Sequence, residues 1–90
     1  TAAVEDVLAA SGQTFVVNGR FKGGWITRHY GRPHDGVHAL QMELGCRGYM
    51  HEPRTRHADN WPSPYDPVRA EPTRTTLTAV LTAALRWARA

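Results

Sequence analysis

The residues best suited to chemistry fall within positions 18–50, which read NGRFKGGWITRHYGRPHDGVHALQMELGCRGYM. Glu43 is a carboxylate set between Met42 and Leu44 in a run that otherwise looks like core. Drawn out of water, a carboxylate becomes an effective proton carrier for hydrolysis, and it is costly to bury without purpose. A structural salt bridge to Arg28 or Arg32 is the other reading of Glu43, and on the residue types alone it is the stronger one. Upstream, Arg28, His29 and Tyr30, with Arg32 close behind, form a compact donor group flanked by glycines. Arg20 and Lys22 occupy a second such loop. A guanidinium fork can meet a carboxylate with paired charge-assisted bonds, each contributing about 1.5–3 kcal/mol. Solvated surface charge is the usual state of arginine, but clustering beside glycines favours contact with a small anionic ligand.

These groups need elements to position them. Residues 37–44 end in good helix formers, yet a length of eight between Gly36 and Gly45 fits a strand equally well. The residues alone leave both open, and the strand is the reading followed here. Leu40, Met42 and Leu44 then face one way and Gln41 and Glu43 the other, so Gln41 is placed to hold a substrate or to orient Glu43. His38 falls on the opposite side and reads as a structural histidine. Residues 20–36 carry Gly23, Gly24, Gly31, Pro33 and Gly36 and read as a loop interrupted by a short extended piece at 25–27. Before it, residues 2–10 predict a helix through Val4, Val7 and Leu8, stopped by Gly12. Residues 14–17 predict a strand running into the Asn18-Gly19 turn. Positions 51–72 hold five of the chain's six prolines and read as an irregular segment. A closing amphipathic helix is predicted over 73–90, with Leu77, Val80, Leu81, Ala84, Trp87 and Ala88 on its apolar stripe and Pro72 at its entrance.

Bulk properties narrow the classes. Ninety residues make at most one small domain, and the apolar share of 41% is too high for a disordered chain. No run approaches the roughly 20 apolar residues that span a bilayer. The start lacks both a signal-peptide layout and an initiator Met, so the chain reads as part of something longer. The single cysteine, Cys46, excludes an internal disulfide and a thiolate zinc pattern, and a cytoplasmic setting is expected. The net charge of +3 is matched by Arg20, Lys22, Arg28 and Arg32 against Asp35 alone. That is a local cluster, shorter than the basic stripe a nucleic acid needs. His34 and His38 have the spacing of a helical metal pair, but Pro33 and Gly36 argue against a helix there. His51 and His57 are expected on the surface, Cys46 as a small buried hydrophobe, and Trp25, Trp61 and Trp87 as packing residues.

The same segment resembles the signature region of the N-formylglutamate amidohydrolase (N-formylglutamate deformylase) family. The resemblance lies in an NGRFKGG loop at 18–24, an ITRHYG loop at 26–31, an HALQ-x-EL run at 38–44 and the Tyr49-Met50 pair. It implies an α/β fold in which this chain is a C-terminal fragment, residues 1–90 forming part of one catalytic domain. That domain would be a zinc-exopeptidase-like mixed, largely parallel sheet flanked by helices. It also implies hydrolysis of N-formyl-L-glutamate to glutamate and formate, a step of histidine degradation, by a longer metal-dependent enzyme. Zinc would be held by residues outside this chain, and the fragment by itself is expected to be inactive. By the same resemblance Glu43 is general base and then acid. Arg28, His29, Tyr30, Arg32 and Gln41, with Arg20 and Lys22, would contact the substrate, and the arginines would meet its two carboxylates.

Two other readings compete. One is a non-catalytic basic module for an anionic ligand or nucleic acid, since Arg20-Phe21-Lys22 followed by Trp25 interleaves charge and aromatics. It leaves Gln41 and Glu43 without a role. The other keeps the fold and changes the substrate to another N-acyl amino acid. The expected partner is a small dicarboxylate, with neither nucleic acid nor membrane, and the oligomeric state is open.

Overall fold

A computed structural model describes residues 1–20 and 22–90. The chain divides into two compact units, Thr1–Glu43 and Leu44–Ala90.

The first unit opens with helix α1, Ala2–Ser11, close to the span predicted from its apolar spacing. Val4 is buried and Val7 and Leu8 are half-buried, as that spacing requires. Gly12 ends the helix in the left-handed region (φ 76°, ψ 0°), which glycine enters without the steric cost of a Cβ. Ser11 Oγ donates to the Leu8 carbonyl at 2.6 Å, tying down one of the last acceptors of the helix.

The next element differs from expectation. Residues 25–27, read as a short extended piece within a loop, lie in helix α2, Trp25–Tyr30. Gly24 precedes it with extended backbone, and the Gly31 amide closes it on the Thr27 carbonyl at 3.0 Å. A Cβ on Gly31 would lie 2.7 Å from that carbonyl oxygen, so the close approach requires glycine. Ring stacking also favours the helix: Trp25 and His29, four residues apart, have centroids 4.2 Å apart at 12°. A short 3-10 turn follows at Pro33–Asp35, closed by backbone bonds in both directions between Arg32 and Val37 (2.7 and 3.1 Å).

The expected α/β architecture, a mixed, largely parallel sheet flanked by helices, does not form. Among the described residues there is no sheet, and strand pairing is confined to isolated antiparallel bridges at Arg32–Val37 and Met50–Tyr65. The strands predicted at 14–17 and 37–44 are irregular chain apart from Val37 in its isolated bridge. Strand propensity expresses packing against a neighbouring strand, and one extended segment without a partner gains no ladder of hydrogen bonds. Phe15 and Val16 are accordingly exposed.

The second unit is built on helix α3, Pro67–Arg89. It starts six residues before the predicted 73–90, inside the segment read as irregular. Asp66 supplies the reason. Its Oδ1 accepts from the amides of Val68 (3.1 Å) and Arg69 (3.0 Å), and Pro67 occupies the first turn, where no amide proton is needed. Pro72 therefore lies inside the helix instead of at its entrance. A 3-10 turn at Cys46–Gly48 docks on the start of α3. Arg69 Nε donates to the Arg47 carbonyl at 2.7 Å, Thr73 Oγ1 to the Gly48 carbonyl at 3.2 Å, and the Asp66 amide to the Tyr49 carbonyl at 2.9 Å. Met50, Ala70 and Val80 are buried here. Along the predicted stripe Leu77 is half-buried, while Leu81, Ala84, Trp87 and Ala88 are exposed. Of the tryptophans expected as packing residues, Trp25 and Trp87 are exposed and Trp61 is half-buried, with Arg56 stacked 4.9 Å from its ring centroid. No described helix is long and apolar enough to cross a membrane.

Candidate active site

The site lies in the first unit, where the glycine loop, α2 and the chain after His38 enclose an open cavity of about 480 Å³. Arg20, Lys22, Gly23, Gly24, Arg28, Gln41 and Glu43 line it. The backbone before α2 turns at Gly23 (φ 94°), and Arg28 Nη1 reaches back to the Gly23 carbonyl at 3.2 Å. Arg28 is thereby held by its own loop while its guanidinium borders the cavity.

Gln41 joins the two halves of the site. Its Oε1 accepts from the Gly24 amide at 2.7 Å and from Thr27 Oγ1 at 3.3 Å, and its Nε2 donates to Glu43 Oε1 at 2.8 Å. Although no strand forms, the side chains at 41 and 43 meet as second neighbours on an extended chain do. Glu43 is exposed, so Met42 and Leu44 do not withdraw it from water. The arrangement brings three cations, an amide and a carboxylate around one opening. Such a set can neutralise an anion beside a proton acceptor.

Other residues singled out from the sequence lie elsewhere in the unit. His29 and Tyr30 form an aromatic group with Trp25, His29 meeting Tyr30 edge-on at 4.7 Å, and neither lines the cavity. Arg32 faces Asp35 at 3.9 Å, an exposed pair, and it too is outside the lining. His34 belongs to the 3-10 turn and His38 follows the bridge, so they do not share a helix face. Among the described residues no group of three or more His, Cys, Asp or Glu is close enough to hold a metal ion. Thr27 and the Gly24 amide were not singled out from the sequence, since they meet Gln41 across 14 and 17 residues.

In the second unit, Cys46 is half-buried and accepts a hydrogen bond from the Tyr49 hydroxyl at 3.6 Å. That bond, then the charge of a Cys46 thiolate and slight burial, pushes the Tyr49 phenol above its usual range. His51 and His57 are exposed.

Basic residues gathered with a carboxylate and an amide on a glycine-rich loop form a compact cluster of the size of a small anion. Comparison with known proteins gives the family. The profile of N-formylglutamate amidohydrolase matches residues 1–50. The N-formylglutamate deformylase of Pseudomonas aeruginosa is 46% identical over 81 residues, covering 90% of this chain and 28% of that protein. The N-formylglutamate deformylase of Pseudomonas putida is 45% identical over 78 residues, covering 87% of this chain and 27% of that protein. The chain thus belongs to the N-formylglutamate amidohydrolase family, and it spans a little over a quarter of the length of these relatives. No solved structure gives a significant match.

Proposed function

We propose that this chain supplies one side of the active site of a cytoplasmic, zinc-dependent enzyme that hydrolyses N-formyl-L-glutamate to glutamate and formate in histidine degradation. The observation that carries the reading is that Arg20, Lys22 and Arg28 line the same cavity as Gln41 and Glu43. The names of the two relatives support the substrate. Formylglutamate has two carboxylates and a neutral formamide, so it needs cations to bind and a proton carrier to react. In this proposal Arg28, with Arg20 and Lys22, neutralises the carboxylates. Glu43 accepts a proton from the water whose oxygen bonds to the formyl carbon. It returns that proton to the nitrogen as the carbon–nitrogen bond breaks, releasing formate and the amine of glutamate.

The described residues do not themselves fit a zinc site, and its ligands are proposed to lie outside these 90 residues. The chemistry assigned to this chain is that of its own carboxylate and cations. The test is formate release from N-formyl-L-glutamate by the full-length protein, with bound zinc measured in parallel. Turnover that is lost on chelation and regained with zinc is expected. No turnover by zinc-loaded protein would overturn the reading. Tight, steeply salt-dependent binding of single-stranded DNA in its place would favour a basic binding module.

A further inference from the structure

We propose that Thr27 is a positioning residue that acts on Glu43 through Gln41. The inference rests on the catalytic role given above to Glu43. A backbone amide can only donate and a carboxylate can only accept, so the Gln41 amide between Gly24 N–H and Glu43 has one workable orientation. Oε1 faces Gly24 at 2.7 Å and Nε2 faces Glu43 at 2.8 Å. Turned over, it would set donor against donor and acceptor against acceptor. The Thr27 hydroxyl, half-buried in the first turn of α2, gives Oε1 a second donor at 3.3 Å. Two donors from one side restrain both the plane and the reach of the glutamine, and Nε2 then fixes Glu43 Oε1. Thr27 does not line the cavity among the described residues, so it contacts Gln41 and not the substrate.

The same geometry ties the position of the carboxylate to that of the cation. Arg28 follows Thr27 directly in α2 and bonds Gly23, next to the Gly24 amide that holds Gln41. The loop that carries substrate-neutralising charge is therefore the one that aims the proton carrier.

The test uses the full-length enzyme and N-formyl-L-glutamate. Thr27→Val keeps shape and removes the donor, and kcat should fall about 5–10-fold with KM unchanged. Thr27→Ser, which keeps the hydroxyl, should restore most of the rate. Gln41→Leu should cost more, and adding Thr27→Val to it should cost nothing further, because the path to Glu43 is already cut. The inference is overturned if Thr27→Val turns over at the wild-type rate, if Thr27→Ser fails to rescue it, or if the two losses multiply in the double variant. These outcomes are read only against a wild-type enzyme that deformylates formylglutamate; absence of that activity defeats the proposed function instead.

Discussion

Gln41 Nε2 lies 2.8 Å from Glu43 Oε1, an amide donating to a carboxylate two residues along the same chain. Since the glutamine oxygen is anchored on the Gly24 amide, this contact ties the exposed Glu43 carboxylate to the glycine loop. One carboxylate oxygen is thus engaged by Gln41, which in the proposed mechanism leaves proton transfer to the other.

Glu43→Gln preserves the shape of the side chain and removes the proposed proton carrier. In the full-length enzyme, kcat for formylglutamate should drop by roughly 10²-fold or more, with bound zinc unchanged. Near-normal kcat in that variant would remove Glu43 from the proton-transfer step.

Arg28→Ala removes the guanidinium beside the cavity. KM for formylglutamate should rise roughly 10- to 100-fold, the loss of about one charge-assisted bond. Arg28→Lys keeps the charge but not the fork and should fall between. Steady-state kinetics give the answer, and an unchanged KM would count against carboxylate recognition at this position.

Asp66 is the first residue to test for stability, since its carboxylate accepts two amides at the start of α3. Asp66→Ala should lower stability by about 1 kcal/mol, and Asp66→Asn by much less. Urea unfolding followed by circular dichroism measures the difference; equal midpoints for Ala and wild type would show that the cap contributes nothing.

The Tyr49 phenol, held above its usual range chiefly by its hydrogen bond to Cys46, should titrate late in the folded protein. Its contribution to stability is complete below the ordinary phenol pKa and disappears as pH rises through the raised value. Phenolate absorbance against pH would register this as a late-ionising tyrosine that Cys46→Ala moves back toward the ordinary range. A titration unaffected by Cys46→Ala would dismiss the bond as its cause.

What was legible in the sequence is local. The apolar spacing of α1, its stop at Gly12 and the amphipathic run after Pro72 follow from backbone sterics and side-chain periodicity, which need no distant partner. The cap Asp66-Pro67 was equally local and was hidden by the prolines around it, which favoured an irregular reading. The i, i+4 spacing of Trp25 and His29 was also present, within residues that the surrounding glycines favour as a loop.

By itself, the sequence determined the family, the charge balance that concentrates cations between residues 20 and 32, and the shared side of Gln41 and Glu43. Tertiary structure decided that Arg20, Lys22 and Arg28 border the cavity while His29, Tyr30 and Arg32 turn to other contacts. It also decided that Gly24 and Thr27 anchor Gln41, and that the extended residues join no sheet. The physical reason is the same in each case. A side chain's type and period are properties of a few neighbouring residues, whereas a hydrogen bond across 14 or 17 residues, or a ladder between strands, exists only where folding closes the intervening loop.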